Sequence, residues 1–173
     1  MKNSKPVVWF RILFAYFDIT VDHVIKLRKE VKIMATEYIS LYYDNPTVNG
    51  TDGTKISYGD DTSSPLYVTL EITAKETKYI KMAVRTESGY ETTGDTVISF
   101  LNDTKARWSI CADDNYDATS VQAATFSSSL TISDAITHAN KIFWIKVAIV
   151  DGDEVANDKT VQINLNTTVK ASE

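Results

Sequence analysis

The chain has 173 residues, 43% of them hydrophobic and 24% charged, with six Gly and three Pro. That composition excludes a disordered or collagen-like polymer, and the length predicts one domain with a real core. Eighteen basic and 23 acidic side chains leave a net charge of −5, which argues against binding nucleic acid through phosphates, and two His with one Cys exclude a disulfide framework or a Cys/His zinc site.

The charge divides the chain into two pieces. Residues 1–33 carry seven basic and three acidic side chains, a net of +4, and residues 34–173 carry 11 and 20, a net of −9. Three readings compete for 1–33. A signal peptide has its basic start at Met1–Lys5, but Arg11 interrupts the apolar run and no small-residue cleavage site follows Phe17. The segment is too short and too charged to span a bilayer. An amphipathic helix on a membrane or partner is opposed by Asp18, Asp22 and Glu30, which do not share one polar face. The third reading is translated upstream DNA. Lys29-Glu30-Val31 is encodable as AAG-GAG-GTN, a strong bacterial ribosome-binding sequence, and Met34-Ala35-Thr36-Glu37 reads as an ordinary protein start. The sequence therefore predicts a non-core extension over 1–33 and a domain over 34–173.

From Met34 onward the pattern has period two, the signature of strands with one buried face. Glu37–Tyr43 alternates around Tyr38, Ser40 and Tyr42. Leu66–Thr73 sets Leu66, Val68, Leu70 and Ile72 against Tyr67, Thr69, Glu71 and Thr73. Tyr79–Thr86 turns Ile80, Met82 and Val84 inward, and the polar link Lys75-Glu76-Thr77 predicts a hairpin with the preceding run. Thr96–Leu101 holds Ile98 and Phe100. Lys105–Ala112 puts Ala106, Trp108, Ile110 and Ala112 on one side and Cys111 on the other. Phe126–Ser133 groups Phe126, Leu130 and Ile132. Ser133–Asn140 has room for one helical turn at most, capped by Ser133 or Asp134. Lys141–Val150 is apolar on both faces, as a central strand is, and Thr160–Val169 alternates through Val161, Ile163, Leu165, Thr167 and Val169. Asn49-Gly50, Asp52-Gly53, Gly59-Asp60, Ser88-Gly89, Gly94-Asp95 and Asp151-Gly152 supply the turns.

Short strands separated by turn signals, with no sustained helical period, predict an all-β fold. The expected form is an antiparallel immunoglobulin-like β-sandwich, with a jelly roll as runner-up. Trp108 or Trp144 supplies the core tryptophan.

The acidic loops look most like chemistry. Asp113-x-Asn115-x-Asp117 opens with calcium-loop spacing, but Ala118 and Ala124 stand where the EF-hand pattern needs Gly and Glu. Asp113, Asn115 and Asp117 are thus the calcium candidates of this loop, against a solvated acidic loop as the plainer reading. Asp60-Asp61, Asp151, Asp153, Glu154 and Asp158 read the same way. Paired carboxylates for glycoside hydrolysis, or His138 with a Ser or Cys111 nucleophile, have no supporting motif, and no catalytic residue or cofactor is expected. Nine tyrosines are many for this length. Tyr42, Tyr43, Tyr67, Tyr90 and Tyr116 are the candidates for a contact surface, since phenol rings anchor interfaces and stack on sugars; they also suit ordinary strands.

Five stretches carry a family likeness: Leu41–Val48, Thr51–Thr54, Gly89–Thr96, Ile142–Val147 and Asp153–Asp158. Together they resemble small immunoglobulin-like virion-associated proteins of phages and prophages of Gram-positive, clostridia-like bacteria. The likeness covers nearly all of 34–173 and leaves out 1–33. It implies a non-enzymatic virion structural protein made in the bacterial host cytoplasm, a capsid decoration protein or other particle-surface component. The implied partners are other capsid or tail proteins, in a homo-oligomer or on a lattice, with no nucleic acid and no membrane. The alternative is a surface module that binds glycan or host through its tyrosines, assisted by calcium.

Overall fold

In the computed structural model, the described residues are 38–56, 63–154 and 160–172, together with the backbone of three short strands in 1–33. The expected start at Met34, the Gly59-Asp60 turn, Asp61 and Asp158 lie outside them.

The strands in chain order are β1 (Val8–Trp9), β2 (Ala15–Asp18), β3 (Arg28–Val31), β4 (Ile39–Tyr43), β5 (Thr54–Lys55) and β6 (Leu66–Val68). They continue as β7 (Thr77–Thr86), β8 (Tyr90–Leu101), β9 (Trp108–Ala112), β10 (Ser129–Ile132), β11 (Lys141–Ala148) and β12 (Gln162–Ala171). A 3-10 helix, Ser120–Ala123, is the one helix among the described residues. Every strand pairing is antiparallel. One sheet has the order β1-β12-β8-β10, a second β5-β4-β7-β11-β9, and a small third β2-β3-β6.

The first two sheets share one core. β8, β10 and β12 contribute Ile98, Ile132, Ile163 and Leu165, and the other sheet contributes Ile39, Leu41, Met82, Val84, Trp108, Ile110, Phe143 and Ile145. Alternation explains the choice, since the core residues of β4, β7, β9 and β11 are every second residue. This is a nearly all-β, sandwich-like architecture. Trp108 is its core tryptophan, 2% exposed. Burying such side chains contributes roughly 1.5–3 kcal/mol each before entropy is counted.

The second face of the five-stranded sheet is partly covered as well. Cys111 and Trp144 are directly opposite in the β9–β11 ladder, and Val121 from the 3-10 helix closes over them. Lys141–Ala148 is therefore buried on both sides, as its doubly apolar pattern predicts. Ser127 bridges to Ile110 at the edge of β9 before the chain enters β10, so the chain changes sheet at that edge.

One local expectation fails. The hairpin between Leu66–Thr73 and Tyr79–Thr86 does not form: β6 ends at Val68 and pairs with β3, while β7 pairs with β4 and β11. The link between the two runs still closes on itself, with the Glu76 N–H donating to the Glu71 carbonyl at 3.1 Å. Ser133–Asn140 holds no helical turn. Its backbone is extended enough to reach both sheets: the Ile136 carbonyl accepts from the Thr92 N–H and the Thr137 carbonyl from the Thr86 N–H.

Candidate functional site

A cleft arises where β6 and β7 part. β4 follows β7 only from Ile39 opposite Thr86 to Tyr42 opposite Ala83. Just past Tyr43, Asp44 and Asn45 take φ of 71° and 53°, a left-handed conformation that Asp and Asn tolerate better than other side-chain-bearing residues. The chain turns off there, while β7 runs on to Thr77 with β11 on its other side. Between the departing β4, β6 and residues 78–81 lies a cleft of about 310 Å³.

Three tyrosines, Tyr43, Tyr67 and Tyr79, line it with Lys78, Lys81 and Trp144. Tyr67 is 47% exposed, one of two large hydrophobic side chains so open among the described residues. Lys78 crosses the cleft: its Nζ donates to the Thr69 carbonyl at 2.5 Å and lies 3.4 Å from the Glu76 carboxylate. Lys81 is half-buried, and its side chain makes no hydrogen bond or ion pair among the described residues. Trp144 is fixed from behind, its Nε1 donating to Asp113 Oδ1 at 2.9 Å. Rings with polar tips, beside an unpaired ammonium, form a surface that stacks and hydrogen-bonds at once.

The five tyrosines expected at a contact surface do not form one patch. Tyr43 and Tyr67 meet in the cleft. Tyr42, next in line on β4, faces the other way and is 6% exposed, with the Arg85 guanidinium 3.3 Å from its ring centroid. Tyr90 stacks on Tyr38 with ring centroids 4.2 Å apart, beyond the other end of β7. Tyr116 packs against the Cys111–Val121–Trp144 cluster. Tyr79 joins the cleft without having been singled out. Its position out of step with Ile80, Met82 and Val84 is the signal that places it off the core face.

The acidic loops bind themselves. Asp113 Oδ1 accepts from the Tyr116 N–H as well as from Trp144. Asp117 Oδ1 accepts from the Thr119 and Ser120 N–H groups at 2.8 and 2.7 Å and from Ser120 Oγ at 3.0 Å. Those bonds, the Ser120 N–H first, hold its carboxyl below the usual range. Asn115 takes a left-handed φ of 57° between them. Among the described residues no group of three or more His, Cys, Asp or Glu is placed to hold a metal ion. Asp103 accepts from the Arg107 and Trp108 N–H groups.

Asp153 is an enclosed carboxylate. Its side chain has no exposed surface and meets Arg107 through both oxygens and Lys105 at 3.1 Å. Burial pushes this carboxyl up, but the Arg107, Val150 N–H and Lys105 hydrogen bonds outweigh it and hold it at about 2. Cys111 shows the opposite balance: burial first, then the Asp113 charge, pushes its thiol up to about 11. His138 is exposed in the connection before β11. No helix among the described residues is long and apolar enough to cross a membrane.

Comparison of the chain with protein-family models, with curated proteins and with solved structures finds no match.

Proposed function

We propose that this chain is a non-catalytic structural protein of a phage particle, a decoration-type component on the capsid exterior or a similar particle surface, built on an immunoglobulin-like sandwich. The observation that carries the reading is the use made of the loop carboxylates. Asp52, Asp103 and Asp117 each accept at least two hydrogen bonds from the residues that shape their own loops, and Asp153 accepts one from Val150 in its own loop and others from Arg107 and Lys105 in the neighbouring one. Carboxylates so used stiffen a scaffold. A module that rides on a lattice needs that stiffness, because many weak contacts add up only if each copy presents the same face.

The immunoglobulin-like part is supported by the ladder order. β7 lies beside β11 in one sheet, and β8 beside β12 in the other, which matches the B–E and C–F pairs of that fold. β9 beside β11 corresponds to D beside E. The departure is β10, which joins the edge of β8 although it follows β9 in the chain. The particle assignment draws on the sequence likeness at Leu41–Val48, Thr51–Thr54, Gly89–Thr96, Ile142–Val147 and Asp153–Asp158.

The test is protein composition of purified particles. Quantitative mass spectrometry is expected to find this chain at a fixed ratio to the major capsid or tail protein, and cryo-electron microscopy to find it as regular exterior density. Its absence from washed, infectious particles overturns the reading.

A further inference from the structure

We propose that the cleft between β4, β6 and β7 is a saccharide subsite for an acidic sugar, with the sugar ring carried on the Tyr67 face and its carboxylate on Lys81. This goes beyond particle membership and does not depend on it.

The lining selects the ligand class. At about 310 Å³ the cleft sits at the small end of ligand pockets, enough for a short oligosaccharide segment rather than a protein element. Tyr43 and Tyr79 line it without a hydrogen bond from their hydroxyls among the described residues, and Asp44 stands at its side. A purely apolar ligand would strip water from these groups and leave them unpaired. A sugar offers a hydroxyl to each, and its C–H bonds carry the partial positive charge that suits the negative face of an aromatic ring. Tyr67 keeps nearly half its surface open for such stacking.

The preference for an acid comes from Lys81. Lys55, Lys75, Lys78, Lys105, Lys141 and Lys170 each have a carboxylate within 3.4 Å. Among the described residues Lys81 lines the cleft without one, and it stands directly opposite Trp144 in the ladder, so its stem is flanked by a ring. A half-buried ammonium beside rings and without a counter-ion attracts a carboxylate, and an ionised acceptor makes the stronger hydrogen bond.

The experiment uses the full chain and two probes, tri-galacturonate and its neutral counterpart tri-galactose. Saturation-transfer NMR reads contact and titration reads affinity. Tri-galacturonate is expected to receive saturation and to bind about tenfold tighter than the neutral trisaccharide. Tyr67→Ala is expected to abolish both signals, and Tyr67→Phe to keep them. Lys81→Met is expected to erase the difference between the probes while leaving the weaker, neutral binding. Circular dichroism melts confirm that each variant is folded. Absence of saturation transfer to tri-galacturonate in the parent protein overturns the proposal, and so does binding that Tyr67→Ala and Lys81→Met leave unchanged. Either failure leaves the copy number on particles untouched, so the two readings fall separately.

Discussion

Asn140 donates from Nδ2 to the Asp52 carboxylate at 2.9 Å and to the Asp52 carbonyl at 3.2 Å. The same amide donates to the Thr47 carbonyl at 3.1 Å, and its oxygen accepts from Arg85 Nη1 at 2.5 Å. Asn140 is 2% exposed, so one buried side chain ties the 47–52 loop to the start of β11 and to β7. Arg85 completes the joint by covering Tyr42 and donating to the Asp52 carbonyl at 2.7 Å. Removing a buried amide with this many partners strands several of them. Asn140→Ala is expected to cost about 2 kcal/mol in urea unfolding. Asn140→Asp keeps the shape but sets a second carboxylate against Asp52. It is expected to be worse than alanine at neutral pH and to recover as pH falls and one acid takes a proton. An aspartate variant as stable as the parent at pH 7 would refute the joint.

The Arg107–Asp153 pair sets an acid limit. The Asp153 carboxyl is depressed from 3.8 to about 2 in the folded chain. A depressed carboxyl contributes stability that is fully present above its unfolded value and is lost as pH falls through the folded one. The Asp153 share, on the order of 2 kcal/mol, therefore disappears between about pH 4 and pH 2. Asp153→Asn removes this titration and the ion pair with Arg107, which is 8% exposed. The variant is expected to be less stable at pH 7 by about 3 kcal/mol and to lose less than the parent on acidification to pH 2. Parallel pH profiles for the two proteins would count against the pair.

Ala106 is held at φ 51°, a left-handed backbone that an alanine side chain disfavours. Its neighbours force it there: the Ala106 N–H donates to the Asp103 carbonyl at 3.2 Å, and the Asp103 carboxylate takes the next two N–H groups. Ala106 is itself exposed, so nothing packs on its methyl group. Ala106→Gly is expected to stabilise the fold by about 0.5 kcal/mol, relief of backbone strain exceeding the added freedom of the unfolded chain. A lowered melting temperature would show that the turn is not under strain.

Much of this was legible in the sequence where one rule acted alone. Alternation put Trp108 and Ile110 in the main core and Cys111 on the far face, and a doubly apolar Lys141–Val150 predicted the central strand. It failed where two strands competed for one edge. The polar link at Lys75-Glu76-Thr77 predicts a hairpin, yet β6 takes β3 as its partner, and β7 pairs with β4 and β11 instead. Period two says nothing about which strand wins an edge. The contact residues suffered from the same long-range dependence. Tyr42 and Tyr43 are adjacent and alike in sequence, and it is Ala83, Ile142 and Arg85, far along the chain, that cover Tyr42. The 3-10 helix Ser120–Ala123 is too short to show a period, although Asp117 three residues before Ser120 is the kind of acceptor that starts one.

Cys111 reports on the cover that this helix forms. The thiol is 7% exposed beneath Val121 and Trp144, and burial raises it to about 11. At neutral pH it is therefore protonated, and the thiolate is the reactive form. A disulfide reagent such as DTNB is expected to label the folded chain only as fast as the 113–127 cover opens. Val121→Ala, which hollows that cover while leaving the main core intact, is expected to speed labelling at least tenfold at small cost to global stability. The raised thiol also sets an alkaline trend. Its contribution is complete below the unfolded value near 9 and is lost as pH rises towards 11, because the unfolded chain releases its proton first. Cys111→Ala abolishes that part of the slope, so the parent is expected to lose more stability than the variant between pH 8.5 and 11. Rapid labelling of the parent at pH 7, at the rate of a free peptide thiol, would mean that the second face of the sheet is open to solvent.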